Sequence, residues 1–127
     1  MKKKIWFIIN PISGVRRKDD LPALIASNLD LEKFDYEIQY TEYKGHAITL
    51  AKDAINENID IVCAVGGDGS VHEVGTALIG SKVLLAIIPI GSGNGLARHM
   101  HIPLSVKKAI ICINESKEIS MDTVLVN

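Results

Sequence analysis

The sequence predicts an α/β protein, a three-layer α/β/α arrangement around a mostly parallel sheet, on three observations. Uninterrupted apolar runs at Ile5–Ile9, Ile61–Val65 and Val83–Ile88 have the length and composition of strands buried on both faces. Segments of helical periodicity separate the strands, which is the pattern of βαβ units. Polar, glycine-bearing loops follow three of the strands, at the edge where open parallel sheets hold their ligands.

The elements follow in order. Ile5–Ile9 forms the first strand, and a turn-rich stretch runs from Asn10 to Lys18. Leu21, Leu24, Ile25 and Leu29 then share one helical face, with Asp19 or Asp20 placed to cap the helix. Phe34–Thr41 alternates apolar and polar residues as a half-exposed strand does. Ala47, Leu50, Ala51, Ala54 and Ile55 mark the next amphipathic helix. After the strand Ile61–Val65, Gly66-Gly67-Asp68-Gly69 breaks the chain, and a helix is expected over Val71–Ile79, ending at Gly80. Val83–Ile88 gives a further strand and Pro89–Gly95 a further turn. A short helix is expected at Leu96–Met100, Pro103 breaks the chain, and Ser105 can cap a helix reaching Ile113. Glu118–Val126 alternates like a last strand.

Composition narrows the function classes. A chain of 127 residues with 47% hydrophobic content suits one domain with a real core. The net charge of -1 provides no field that would draw the chain to nucleic acid. The basic runs Lys2-Lys3-Lys4 and Arg16-Arg17-Lys18 read as solvated segments, although the second adjoins a candidate phosphate loop. Cys63 and Cys112 lie in apolar runs without metal or redox spacing, so both are expected as reduced core cysteines, consistent with a cytoplasmic setting. No stretch approaches the ~20 apolar residues of a membrane span, so membrane contact would be peripheral.

The chemistry concentrates in the loops Asn10-Pro11-Ile12-Ser13-Gly14, Gly66-Gly67-Asp68-Gly69-Ser70 and Pro89-Ile90-Gly91-Ser92-Gly93-Asn94-Gly95. One such loop is an ordinary tight turn; three at one sheet edge point to a phosphate or nucleotide. Glycine lets backbone N–H groups approach a bulky anion, and a following helix turns its positive end toward it. Ser13, Ser70 and Ser92 add hydroxyl donors. Asp68 would repel a bare phosphate, a conflict that Mg²⁺ between them removes; the plainer alternative is that Asp68 caps the next helix. A P-loop is excluded because GxxxxGK[ST] is missing. A dinucleotide fingerprint is excluded because Leu96 takes the place of the third glycine after Gly91 and Gly93. His46, His72, His99 and His101 have no zinc spacing, and no nucleophile–base pair suggests a hydrolase.

Three segments carry a resemblance. Asn10-Pro-x-Ser-Gly14, Gly66-Gly-Asp-Gly-Ser-x-x-Glu-Val74 and Pro89-x-Gly-Ser-Gly-Asn-Gly-Leu-Ala-Arg98 resemble, in order and spacing, the signature segments of the diacylglycerol kinase catalytic family, which includes sphingosine and ceramide kinases. The resemblance implies the N-terminal domain of the NAD kinase/diacylglycerol kinase fold. It implies that Asn10, Ser13 and Arg17 face ATP, with Thr41 and the Gly45-His46-Ala47 turn nearby. Gly66, Gly67, Gly69 and Ser70 would hold the phosphates, Asp68 would stand near Mg²⁺ as the catalytic carboxylate, and Glu73 would support that loop. Gly91, Ser92 and Asn94 would line the opposite wall. Asp122, in Met121-Asp122-Thr123, would join the metal network, the alternative being a lone exposed aspartate.

Family enzymes are longer than this chain, and their second, β-rich lobe carries the lipid pocket and a general base. The expectation is therefore that residues 1–127 supply the ATP-binding half of a lipid kinase, inactive by itself, acting from the cytoplasm at a membrane surface. Sheet edges left bare without the second lobe make a homo-oligomer a further expectation. An NAD-kinase-like enzyme of a soluble acceptor and a non-catalytic nucleotide-binding module are the alternatives.

Overall fold

The structure, a computed structural model, describes residues 2–10, 21–89 and 106–115. Four strands, β1 (Lys3–Ile9), β2 (Phe34–Tyr40), β3 (Ile61–Gly66) and β4 (Leu84–Pro89), form one sheet in the order β2-β1-β3-β4. Every pairing is parallel: Lys3–Ile9 runs beside Phe34–Tyr40, Ile5–Ile9 beside Ile61–Val65, and Ile61–Gly66 beside Leu84–Pro89. The helices are α1 (Leu21–Asn28), α2 (His46–Asn56), α3 (Asp68–Leu78) and α4 (Val106–Glu115). The short helix expected at Leu96–Met100, the strand expected at Glu118–Val126 and the caps at Asp19, Asp20 and Ser105 fall outside the described residues.

Alternation along the buried strands sorts the core into two halves. Ile5, Phe7, Ile9, Cys63, Val65 and Ile88 pack with Leu21 and Ile25 of α1 and Ala109, Ile110 and Ile113 of α4. Trp6, Ile8, Val62, Ala64, Leu85 and Ile87 face the other way, onto Leu50, Ala51 and Ala54 of α2 and Val71, Val74 and Leu78 of α3. The result is the expected α/β/α sandwich. Among the described residues its edge strand β2 is covered on one face only: Phe34, Tyr36 and Ile38 join the α1/α4 core, with Tyr36 edge-on to Phe7 at 6.1 Å. Asp35 and Glu37 point outward, and charges on a free edge oppose pairing with another sheet.

Two side-chain and turn devices fix the helix ends. At the end of α2, Asn58 takes φ 59°, a left-handed conformation that asparagine tolerates. Its N–H donates to the Ile55 carbonyl at 3.2 Å and the Ile59 N–H to the Ala54 carbonyl at 3.0 Å, closing a Schellman motif with buried Ile59. Near the end of α4, Asn114 ties α4 to α1. Its Oδ1 accepts the Asp30 N–H at 2.8 Å, and its Nδ2 donates to the Asn28 carbonyl at 2.8 Å.

The two cysteines part company. Cys63 is buried in β3, as expected, and burial pushes its thiol well above its ordinary value, partly offset by a hydrogen bond with the Ile88 backbone. Cys112 is exposed, against expectation. The apolar run Ala109–Ile113 is wider than one helical stripe, so Ala109, Ile110 and Ile113 take the core and Ile111 and Cys112 are turned out. Among the described residues no helix is long and apolar enough to cross a membrane.

Two outcomes follow. In the native protein a thiol reagent such as Ellman's reagent should titrate Cys112 quickly and Cys63 only after denaturant is added; equal rates for both would contradict this packing. Replacing Asn114 by Ala should lower stability by about 1–3 kcal/mol in urea unfolding, because it leaves the Asp30 N–H and Asn28 carbonyl without their partner.

Candidate functional site

The strand order places the site. From β1 the chain crosses through α1 on one face, and from β3 it crosses through α3 on the other, while β1 and β3 lie side by side. Their carboxyl ends lead in opposite directions, which opens a crevice at this topological switch point. A cleft of about 390 Å³ occupies this edge. Asn10 after β1, Thr41 and Tyr43–Gly45 after β2, Ala47 of α2, and Gly67, Gly69, Ser70 and Glu73 around the start of α3 line it.

Two helix N-termini open into this cleft. The N-cap residues of α2 and α3 are Gly45 and Gly67, and neither has a side chain to cap the helix. In α3 the Val71 N–H bonds back to the Gly67 carbonyl at 3.1 Å, so the amides ahead of it precede the helical ladder. Such groups, with the positive ends of two helix dipoles, suit an anion. The helix α3 begins earlier than expected, at Asp68 rather than Val71. Gly67 is the N-cap, extended at φ −91° and ψ −169°, so Asp68 is the first helical residue and not the cap. Glycine at position 69 is tolerable because it falls in the first turn, where few helical bonds depend on it.

The side chains complete the lining. Thr41 is the buried polar residue among those described, at 8% exposure. Its N–H extends the sheet by donating to the Ile9 carbonyl at 2.9 Å, while its hydroxyl has no hydrogen-bond partner among the described residues. A buried hydroxyl left so invites a ligand or water. Lys44 brings a cation and Glu73 a carboxylate to the cleft, and neither has an ion-pair partner among the described residues. A Cβ added at Gly69 would meet nothing within 4 Å, so the missing side chain widens the cleft and serves no internal packing.

The loop from Glu42 to His46 is held from within. The Glu42 N–H donates to His46 Nδ1 at 2.9 Å, so that nitrogen carries no proton. The His46 N–H donates to the Tyr43 carbonyl at 3.1 Å, and the two rings stack at 4.3 Å with 13° between planes. Gly45 makes the turn at φ 87°, where an L side chain is strained.

Of the residues singled out in the sequence, Asn10, Thr41, Gly67, Gly69, Ser70 and Glu73 meet at this cleft. Gly66 ends β3 and is buried, and Asp68 heads α3. Ser13, Arg17, Gly91, Ser92, Asn94 and Asp122 lie outside the described residues. Tyr43 and Lys44 were missed. The signal available was their position between Thr41 and Gly45, and lysine beside glycine in a loop is too common to stand out by itself.

Fold and cleft define a class: a parallel α/β protein with a cleft at the switch point, where two helix N-termini meet. The profile of the diacylglycerol kinase catalytic domain family matches residues 4–126, and the chain belongs to that family. Diacylglycerol kinases of two Staphylococcus aureus strains, bovine RF122 / ET3-1 and MRSA252, are each 36% identical to it over 127 residues. The match covers 96% of this chain and 39% of each relative. A crystal structure of a diacylglycerol kinase from Bacillus anthracis str. Sterne superposes with a TM-score of 0.77 at 26% identity, over 90% of this chain and 43% of that one.

The two cleft glycines separate conformation from space. Gly45→Ala should destabilise the protein by about 1–2 kcal/mol through the left-handed backbone alone. Gly69→Ala should leave stability unchanged or raise it by up to about 1 kcal/mol, since alanine favours the helix and meets no neighbour. Thermal or urea unfolding of both variants checks the pair.

Proposed function

We propose that this chain is the nucleotide-binding part of a lipid kinase that moves a phosphoryl group from Mg-ATP to a lipid hydroxyl such as that of diacylglycerol. The observation that carries the reading is the convergence of two glycine-capped helix N-termini and the buried Thr41 hydroxyl on one cleft, in a chain of this family.

In this reading the amides at Gly67–Ser70 and the start of α2 receive phosphate oxygens. Thr41, Asn10 and Ser70 supply hydrogen bonds around them, and Lys44 adds positive charge. Gly66 sets the end of β3, from which the phosphate loop departs. Ser13 and Arg17 face the nucleotide from the segment after β1, and Gly91, Ser92 and Asn94 from the segment after β4. The space at Gly69 lets the backbone approach a bulky phosphate.

Among the described residues no three side chains cluster as a metal site, so a divalent cation here would depend on the phosphates. Glu73 brings a carboxylate to the cleft that Lys44 also lines, and Asp68 stands at the head of α3. Asp68 and Asp122 would hold Mg²⁺, most of whose other ligands come from phosphate and water. When bound, it supplies charge neutralisation of the phosphates. The chain's own part is to bind and orient the transferred group, the larger share of phosphoryl-transfer catalysis. The lipid site and the base that accepts the hydroxyl proton belong, in this reading, to a β-rich lobe outside these 127 residues, acting at the membrane surface from the cytoplasm.

Isothermal titration of ATP with and without Mg²⁺ tests it. Binding should require Mg²⁺, and Asp68→Ala should weaken it roughly 10- to 150-fold, the range for losing an interaction with a charged group. Mg²⁺-independent binding that Asp68→Ala leaves unchanged would favour a non-catalytic module.

A further inference from the structure

We propose that Tyr43, backed by the imidazole of His46, is the platform on which the base of the nucleotide stacks at the mouth of the cleft. The inference rests on the nucleotide reading and adds to it the residue that contacts the base.

An exposed tyrosine is ordinary by itself. Tyr43 is different because it lines the anion cleft, is 58% exposed, and is nonetheless fixed in place. One face of its ring lies on His46, with centroids 4.3 Å apart and planes 13° from parallel. The imidazole is held in turn, since its Nδ1 accepts the Glu42 N–H at 2.9 Å. The backbone closes the same unit, with the His46 N–H on the Tyr43 carbonyl at 3.1 Å and Gly45 turning the chain at φ 87°. No second ring among the described residues stacks on Tyr43. The loop therefore presents one open aromatic face whose ordering has been completed before any ligand arrives, and such preorganisation lowers the entropy lost on binding.

The neighbours define the ligand's shape. Lys44 and the starts of α2 and α3 line the same cleft as Tyr43, and they suit phosphate. A place for an anionic group and an exposed flat ring in one cleft match the two ends of a nucleoside phosphate. Stacking does not depend on base identity, because every base has a π face, but a purine covers more of the tyrosine ring than a pyrimidine does. Tyr43 is thus the base-contacting residue and His46 the residue that positions it.

The test compares ATP with inorganic tripolyphosphate, which has the phosphates and no base, both with Mg²⁺, by calorimetric titration of the protein and of Tyr43→Ala, Tyr43→Phe and His46→Ala. Tyr43→Ala should weaken ATP about 5- to 150-fold, the range for loss of one base–aromatic stack, and leave tripolyphosphate unchanged. Tyr43→Phe should bind ATP as the parent does. His46→Ala should weaken ATP and spare tripolyphosphate, whereas general damage to the loop would weaken both. Equal ATP affinity in the parent and Tyr43→Ala, or parallel loss of both ligands, overturns the platform and leaves the phosphate site standing. A parent protein that binds neither ligand overturns the nucleotide reading and the platform with it.

Discussion

The position of β1 is the constraint from which the rest of the molecule follows. It pairs in parallel with β2 on one edge and β3 on the other, and Ile5 to Ile9 are buried on both faces. A parallel strand cannot return by a hairpin, so each connection must cross the sheet as a helix. A strand buried on both faces demands helices on both faces. The crossover α1 takes one side and α2 and α3 take the other, and the chain's change of direction falls at the carboxyl ends of β1 and β3.

The two edges of the sheet are finished differently. At the amino edge, Asp60 joins its neighbours: its N–H donates to the Lys4 carbonyl at 3.0 Å, its carboxylate accepts the Lys4 N–H at 2.8 Å, and its carbonyl accepts the Leu84 N–H at 3.0 Å. At the carboxyl edge the first amides of α3 and the Thr41 hydroxyl are left for something other than the described residues. Because α2 and α3 follow parallel strands on one face, both begin at this edge. Their dipoles add to about one positive charge, the charge of a single lysine. The positive potential at this edge is therefore shared between the backbone and the Lys44 side chain.

Glycine serves two ends in this cleft. Gly45 is required by the conformation of the chain, since its φ of 87° would strain any L residue, and the turn it makes sets Tyr43 over His46. Gly69 is required by neither conformation nor packing inside the described chain, and a side chain there would meet open space in the cleft. The same residue type thus marks a folding constraint in one loop and open space in the other, and composition alone does not separate them.

The sequence alone determined the strands, the helices α1, α2 and α4, the parallel architecture and the glycine loops, because apolar periodicity and chain breaks are local patterns that survive without neighbours. It placed Asn10, Thr41, Gly67, Gly69, Ser70 and Glu73 among the site residues, and they share one cleft. Tertiary structure decided what depends on approach through space. The helix α3 starts at Asp68 with Gly67 extended as its N-cap, a conformation open to any residue and so unmarked in a glycine-rich string. Cys112 faces outward because α4 has one stripe to spend on the core and a wider apolar run to fill it. Tyr43 and Lys44 reached the cleft because the turn at Gly45 carries them there, and a turn's direction is set by the elements on either side of it.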